Sequence, residues 1–167
     1  MLPELLSEEE KKECIEYMLQ NDEIEIALNN WERHKNSDEY MCKVLDVIVA
    51  RSEACAGLIV AILSGNIPTG VNNIVFFTGE EKGEIHKVEN SDGKSYAMVF
   101  TSKSRFHKCN DTSGLVMFIN EVFELLESKA ELNGMVINFG SDDIIFDKIM
   151  MRAAIWIMRR EKEKKMG

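Results

Sequence analysis

Lys94-Ser95-Tyr96-Ala97-Met98-Val99-Phe100-Thr101-Ser102 and Gly134-Met135-Val136-Ile137-Asn138-Phe139-Gly140-Ser141 are two short apolar runs, each closed by small polar residues. Runs of this kind read as strands. Between them Leu115, Phe118, Ile119, Val122, Leu125 and Leu126 recur at the three-and-four spacing of an amphipathic helix. The pattern predicts a helix from Ser113 to Ala130, with Asp111 or Thr112 as its cap. Asn133-Gly134 would stop that helix, with Gly134 at positive φ. Strand, helix, strand is the order of a βαβ unit, so Tyr96–Phe100 and Met135–Phe139 are expected to be parallel neighbours joined by a right-handed crossover.

Toward the N-terminus, Glu84–Glu89 reads as a strand joined to Lys94–Phe100 by Asn90-Ser91-Asp92-Gly93, because a tight hairpin turn needs positive φ and Gly93 supplies it. Ile74–Phe77 reads as a further strand. Ala56–Leu63 is apolar on every side and closed by Ser64-Gly65, which favours a strand covered on both faces over a continuation of the preceding helix. Three helices come before it. The first, Glu8 to Gln20, opens on the capping box Ser7–Glu10 and turns Cys14, Ile15, Met18 and Leu19 inward. A second box, Asp22 to Glu25, opens the next, with Ile24, Ala27, Leu28 and Trp31 as its stripe and the polar break His34–Ser37 as its end. The third is capped by Asn36 or Ser37, buries Met41, Val44, Leu45 and Ile48, and ends near Ser52. Beyond the βαβ unit, Phe146–Lys162 reads as a long helix with Ile149, Met150, Ala153, Trp156 and Ile157 inward. The fold class is therefore α/β of the mixed α+β kind: a mixed β-sheet with a βαβ unit, a helical N-terminal region and a long C-terminal helix. One domain is expected over 1–167, helical in 1–53 and mixed in 54–167.

The 167 residues are 45% hydrophobic and 29% charged, the composition of a globular protein. A formal net charge of −9 disfavours nucleic acid and anionic lipid as partners. Arg159, Arg160, Lys162, Lys164 and Lys165 are interleaved with Glu161 and Glu163, and cations there suit the negative end of a helix. The opening Met-Leu-Pro-Glu lacks the basic start and apolar run of a signal peptide. The apolar stretches are far shorter than the ~20 residues of a membrane span. A cytoplasmic location with no membrane is expected. Cys14, Cys42, Cys55 and Cys109 are widely spaced, the pattern of four free thiols rather than of a disulfide or zinc site. Asn110-Asp111-Thr112 matches a glycosylation sequon, which has no meaning without a secretory route.

If the two signature strands are parallel, their carboxyl ends share one edge, where ligands of open α/β sheets tend to bind. That edge gathers the candidate binding residues Phe100, Thr101, Ser102, Arg105 and His107 from one loop, and Asn138, Gly140 and Ser141 from the other. Each also has a structural explanation: Thr101 and Ser102 as turn caps, Asn138 as a partner for backbone groups, Gly140 as a bend. Ser102 and His107 lack a nucleophile elbow and a third group, and no catalytic residue is assigned. His107-Lys108-Cys109 with His86 lacks a ligand spacing, and no metal is assigned. Asp142-Asp143 reads as helix-capping acid. With no P-loop and no dinucleotide fingerprint, no cofactor is expected.

The Phe100-Thr101-Ser102 strand end, the helix, and the strand closing at Asn138 resemble the N-terminal domain of the SseB family, a bacterial family named for enhanced serine sensitivity. The resemblance covers Glu84 to about Met150 and extends weakly into the N-terminal helices. Phe139 stands where the family pattern has proline. The resemblance implies a mixed α/β domain of bacterial cytoplasmic proteins and carries no catalytic mechanism with it. The expected function is non-catalytic, through protein–protein interaction, with a basic partner suited to the acidic surface or with a second copy. The alternative is a small-molecule or anion-binding regulatory domain using the edge near Ser102 and Asn138, and an enzyme comes third.

Overall fold

The structure is a computed structural model that describes residues 6–34, 37–65, 73–107 and 113–166, and of 64, 65 and 73 the backbone alone. Its elements run α1 (Glu8–Met18), α2 (Asp22–Arg33), α3 (Asp38–Glu53), β1 (Gly57–Gly65), β2 (Asn73–Phe76), β3 (Gly83–Ile85), β4 (Lys87–Glu89) and β5 (Ser95–Phe100). They continue α4 (Lys103–Phe106), β6 (Ser113–Phe118), α5 (Ile119–Ser128), β7 (Gly134–Ile137), β8 (Ile144–Asp147) and α6 (Lys148–Met166). The strands form one mixed sheet in the order β2-β6-β1-β5-β7-β8, with β3 paired to β1 and β4 to β5. Among the described residues no helix is long and apolar enough to cross a membrane.

The central strands are apolar on both sides because both faces of the sheet are covered. Leu58, Val60, Ile62, Ala97, Val99, Leu115, Met117, Met135 and Ile137 face a layer built from α2, α3, α5 and α6. The alternate residues, among them Ile59, Ala61, Met98, Phe100, Val116 and Val136, face Ile15 and Met18 of α1 and Phe106 of α4. This second layer is thin, and Gly57 lets α1 lie close. A Cβ there would stand 2.6 Å from the Met117 carbonyl oxygen and 2.7 Å from the Met18 methyl.

The parallel pairing of β5 with β7 is present, in the register Tyr96↔Gly134 to Val99↔Ile137. Ala56–Leu63 is strand, as β1. The hairpin closes as expected, with Gly93 at φ 79 and its N–H donating to the Asn90 carbonyl. Glu84–Glu89 is divided: β3 turns to β1 and β4 to β5, while His86 between them bonds both, its N–H to Ala61 and its carbonyl to Met98 N–H.

The crossover departs from the expected single helix. Ser113–Phe118 is strand β6, antiparallel to β1 over its whole length and parallel to β2, and the helix begins only at Ile119. A six-residue run buried on both faces has no visible period of two, and Leu115 and Phe118 happen to continue the helical spacing of Ile119, Val122 and Leu126. The proposed caps Asp111 and Thr112, like Lys108, Cys109, the sequon and Asn36, lie outside the described residues. The start of α5 is instead closed by Glu121, which accepts from the Phe118 N–H at 3.1 Å.

Gly134 is not a helix cap, since α5 ends at Ser128, six residues before it. It opens β7 at φ 150, where a Cβ would stand 2.4 Å from the Phe146 carbonyl oxygen and 2.7 Å from the Asp147 Cα. Phe146 belongs to β8, and α6 starts at Lys148. Asp142-Asp143 therefore precedes a strand, and it is Asp147 that accepts from the Met150 N–H at the helix start. That anchorage sets the phase of α6. Met150, Met151, Ala154 and Ile155 are buried, whereas the expected inward residues Ile149 and Trp156 are 75% and 60% exposed.

The Ser7–Glu10 capping box of α1 and the Ser37 cap of α3 are both made. The second box is not. Helix α2 starts at Asp22 after Asn21, and Glu25 turns away to the sheet edge.

Candidate functional site

The two strand ends share one edge, and three of the candidate residues there, Thr101, Arg105 and Asn138, are drawn into one network. Parallel strands end side by side, so the chain leaves β5 through Thr101 and β7 through Asn138 at the same level. Asn138 is fully buried with φ 59, in the left-handed region that asparagine tolerates better than most residues. Its Oδ1 accepts from the Thr101 N–H at 3.0 Å, and its Nδ2 donates to Thr101 Oγ1 at 3.0 Å. The Thr101 hydroxyl donates in turn to Glu25 Oε1 at 2.6 Å. Arg105 completes the ring, reaching Glu25 and Asp142, each at 3.4 Å, while Asp142 also accepts from Asn138 Nδ2. Nearby, Asn21 Nδ2 donates to the carbonyls of Gly57 and Thr101. Helix α2 and strands β1, β5 and β7 are thus tied at one point.

The remaining candidates have local partners. Phe100 is buried edge-on against Phe106, with ring centroids 5.5 Å apart. Ser102 caps α4 by accepting from the Arg105 N–H at 3.3 Å. His107 is exposed at the end of α4. Gly140, at φ 88, donates its N–H to Asp143, and the Ser141 hydroxyl donates to the Asn138 carbonyl. Chemically the cluster is a set of donors and acceptors largely spent on one another, with the Asn21 Oδ1 left buried and without a hydrogen-bond partner among the described residues.

An open site lies on the thin face of the sheet. A groove of about 510 Å³ runs between α1 and the ends of β2 and β6. Its apolar lining includes Cys14, Tyr17, Met18, Cys55, Phe76 and Phe118. Glu10 and Glu13 line it as well, and hydrogen bonds from the Ser7 backbone and side chain hold the Glu10 carboxyl below its ordinary range. Tyr17 is 54% exposed and Phe118 36%, so both are available to a partner. Cys14 and Cys55 are free thiols, as is Cys42 elsewhere. The site is hidden in the sequence because Phe118 continues the apolar spacing of α5 although it ends β6. The signal the sequence held was Glu10, Glu13 and Tyr17 at helical spacing, beside the buried stripe of α1. Among the described residues, no group of three or more His, Cys, Asp or Glu side chains is gathered to hold a metal.

These features define a mixed-sheet α/β domain with a locked polar edge and an open apolar groove beside α1. Residues 24–153 match the SseB protein N-terminal domain, and the chain belongs to that family. The match begins in α2 and ends in α6, so α1 and the last turns of α6 lie outside it. No curated protein and no solved structure matches the chain.

Proposed function

We propose that the protein is a non-catalytic binding protein that acts through a protein interface, and that the interface is the groove beside α1. The observation that carries this reading is the pairing of exposed aromatics, Tyr17 and Phe118, with the carboxylates of Glu10 and Glu13. Aromatic anchors supply affinity, and surrounding charge supplies steering and selectivity. The occupant that suits such a groove is a basic amphipathic segment. The setting we propose is the bacterial cytoplasm, which the family resemblance implies. The alternative of an anion site at Ser102 and Asn138 has its best donor in Arg105, but that guanidinium already faces two carboxylates.

The test uses a synthetic amphipathic helix with leucines on one face and lysines on the other, titrated into the protein by calorimetry. Binding is expected, and Tyr17→Ala should weaken it about tenfold or more, as loss of an interfacial aromatic anchor does. An unchanged affinity in the Tyr17→Ala protein would remove the groove as the interface.

A further inference from the structure

The charge of this chain is divided between two surfaces. Helix α6 carries seven Lys and Arg against two Glu, a net of +5, so the remainder of a chain at −9 carries −14. Part of the positive charge is met internally: Arg152 pairs with Glu127, Arg159 with Glu124, and Lys165 with Glu53. Arg160 instead lies over the Trp156 ring at 5.0 Å. The outer face of α6 therefore presents Ile149 and Trp156, both largely exposed, with the Arg160 guanidinium over the indole. Exposed Trp beside Arg is the composition of an interface centre rather than of a solvated helix face.

The same chain carries a complement. The α1 groove is apolar, has Tyr17 and Phe118 open to solvent, and is edged by Glu10 and Glu13. The two surfaces cannot meet within one molecule. Helix α6 packs through Met150, Met151, Ala154 and Ile155 on one face of the sheet, and α1 packs through Ile15 and Met18 on the other.

We propose that the protein self-associates head to tail, with the Trp156 face of α6 from one copy seated in the α1 groove of the next. The proposal rests on the reading of that groove as a protein interface and names a second copy as its occupant. Two different patches are joined, so the contact is heterologous, and repetition closes a ring or extends a filament.

Sedimentation velocity of the full chain over a concentration series tests it. The mean sedimentation coefficient should rise with concentration at low salt and fall back to the monomer value in about 1 M NaCl, where charge interactions are screened within ~3 Å. Trp156→Ala removes an exposed side chain and should raise the concentration needed for assembly about tenfold or more. A Glu13→Lys, Tyr17→Ala double variant should do the same from the groove side. Mixed together, the two blocked proteins should form a one-to-one dimer and nothing larger, since one retains a groove and the other a free α6 face. A monomer at every concentration, or assembly unchanged by Trp156→Ala, overturns the proposal. If the monomeric protein still binds the lysine–leucine helix through Tyr17, self-association alone fails. If it does not, the groove reading fails as well.

Discussion

Asn138 combines two demands that few residues meet together. Its backbone is at φ 59, and its amide serves both the Thr101 N–H and the Thr101 hydroxyl in a fully buried position. Asn138→Ala should lower stability by about 3 kcal/mol, from an orphaned buried N–H and a less tolerant left-handed residue. Asn138→Gly should recover about 1 kcal/mol of that, because glycine relieves the backbone strain alone. Urea denaturation of the three proteins is the measurement, and equal midpoints for the two variants would show that the backbone contributes nothing. His86 permits a second test. Burial lowers its pKa from the ordinary 6.5, so the unfolded chain takes up the proton more readily than the folded one. Its contribution is intact above about pH 6.5 and fades as pH falls toward the depressed folded value. Between about pH 8 and pH 5.5 the wild type should therefore lose more stability than His86→Gln. Parallel losses in the two would exclude the imidazole as the cause.

At the scale of the element, Gly134 shows how a correct local expectation can have the wrong reason. Positive φ was legible from Asn133-Gly134, but the need for glycine comes from β8, whose backbone leaves no room for a Cβ. Gly134→Ala should cost about 3 kcal/mol, from overpacking against a backbone that cannot yield and from the φ penalty. A loss under about 1 kcal/mol would show that β8 shifts freely. The boundary at Phe118 and Ile119 has the same lesson. The apolar spacing of α5 was plain, but β6 was invisible as a strand because its neighbours β1 and β2, with helices on one side and α4 on the other, bury every residue from Ser113 to Met117. Helix α6 was legible as a helix and not in its rotation, since an apolar stripe can be drawn through either Ile149 and Trp156 or Met151 and Ile155. The Asp147 bond to Met150 and the seating of Phe146 in the sheet select the second.

Over the whole molecule, net charge and its placement act differently. A chain at −9 attracts cationic partners from a distance, so association of the lysine–leucine helix should slow steeply as salt is raised, while its dissociation rate changes little. Stopped-flow measurement at several salt concentrations checks this, and a salt effect confined to dissociation would exclude steering. Composition, the caps of α1 and α3 and the paired strands β5 and β7 were determined by the sequence itself, because the caps depend on neighbours a few residues away and two apolar strands flanking a helix-bearing crossover pair in parallel. So was the meeting of Thr101 with Asn138, which follows from parallel strands ending at one level. The strand order that slips β6 and β1 between β2 and β5, the locking of Arg105 between Glu25 and Asp142, and the groove beside α1 were decided only by the tertiary structure. Each joins residues distant along the chain, and what selects them is the mutual burial of two sheet faces, a condition no local window of sequence contains.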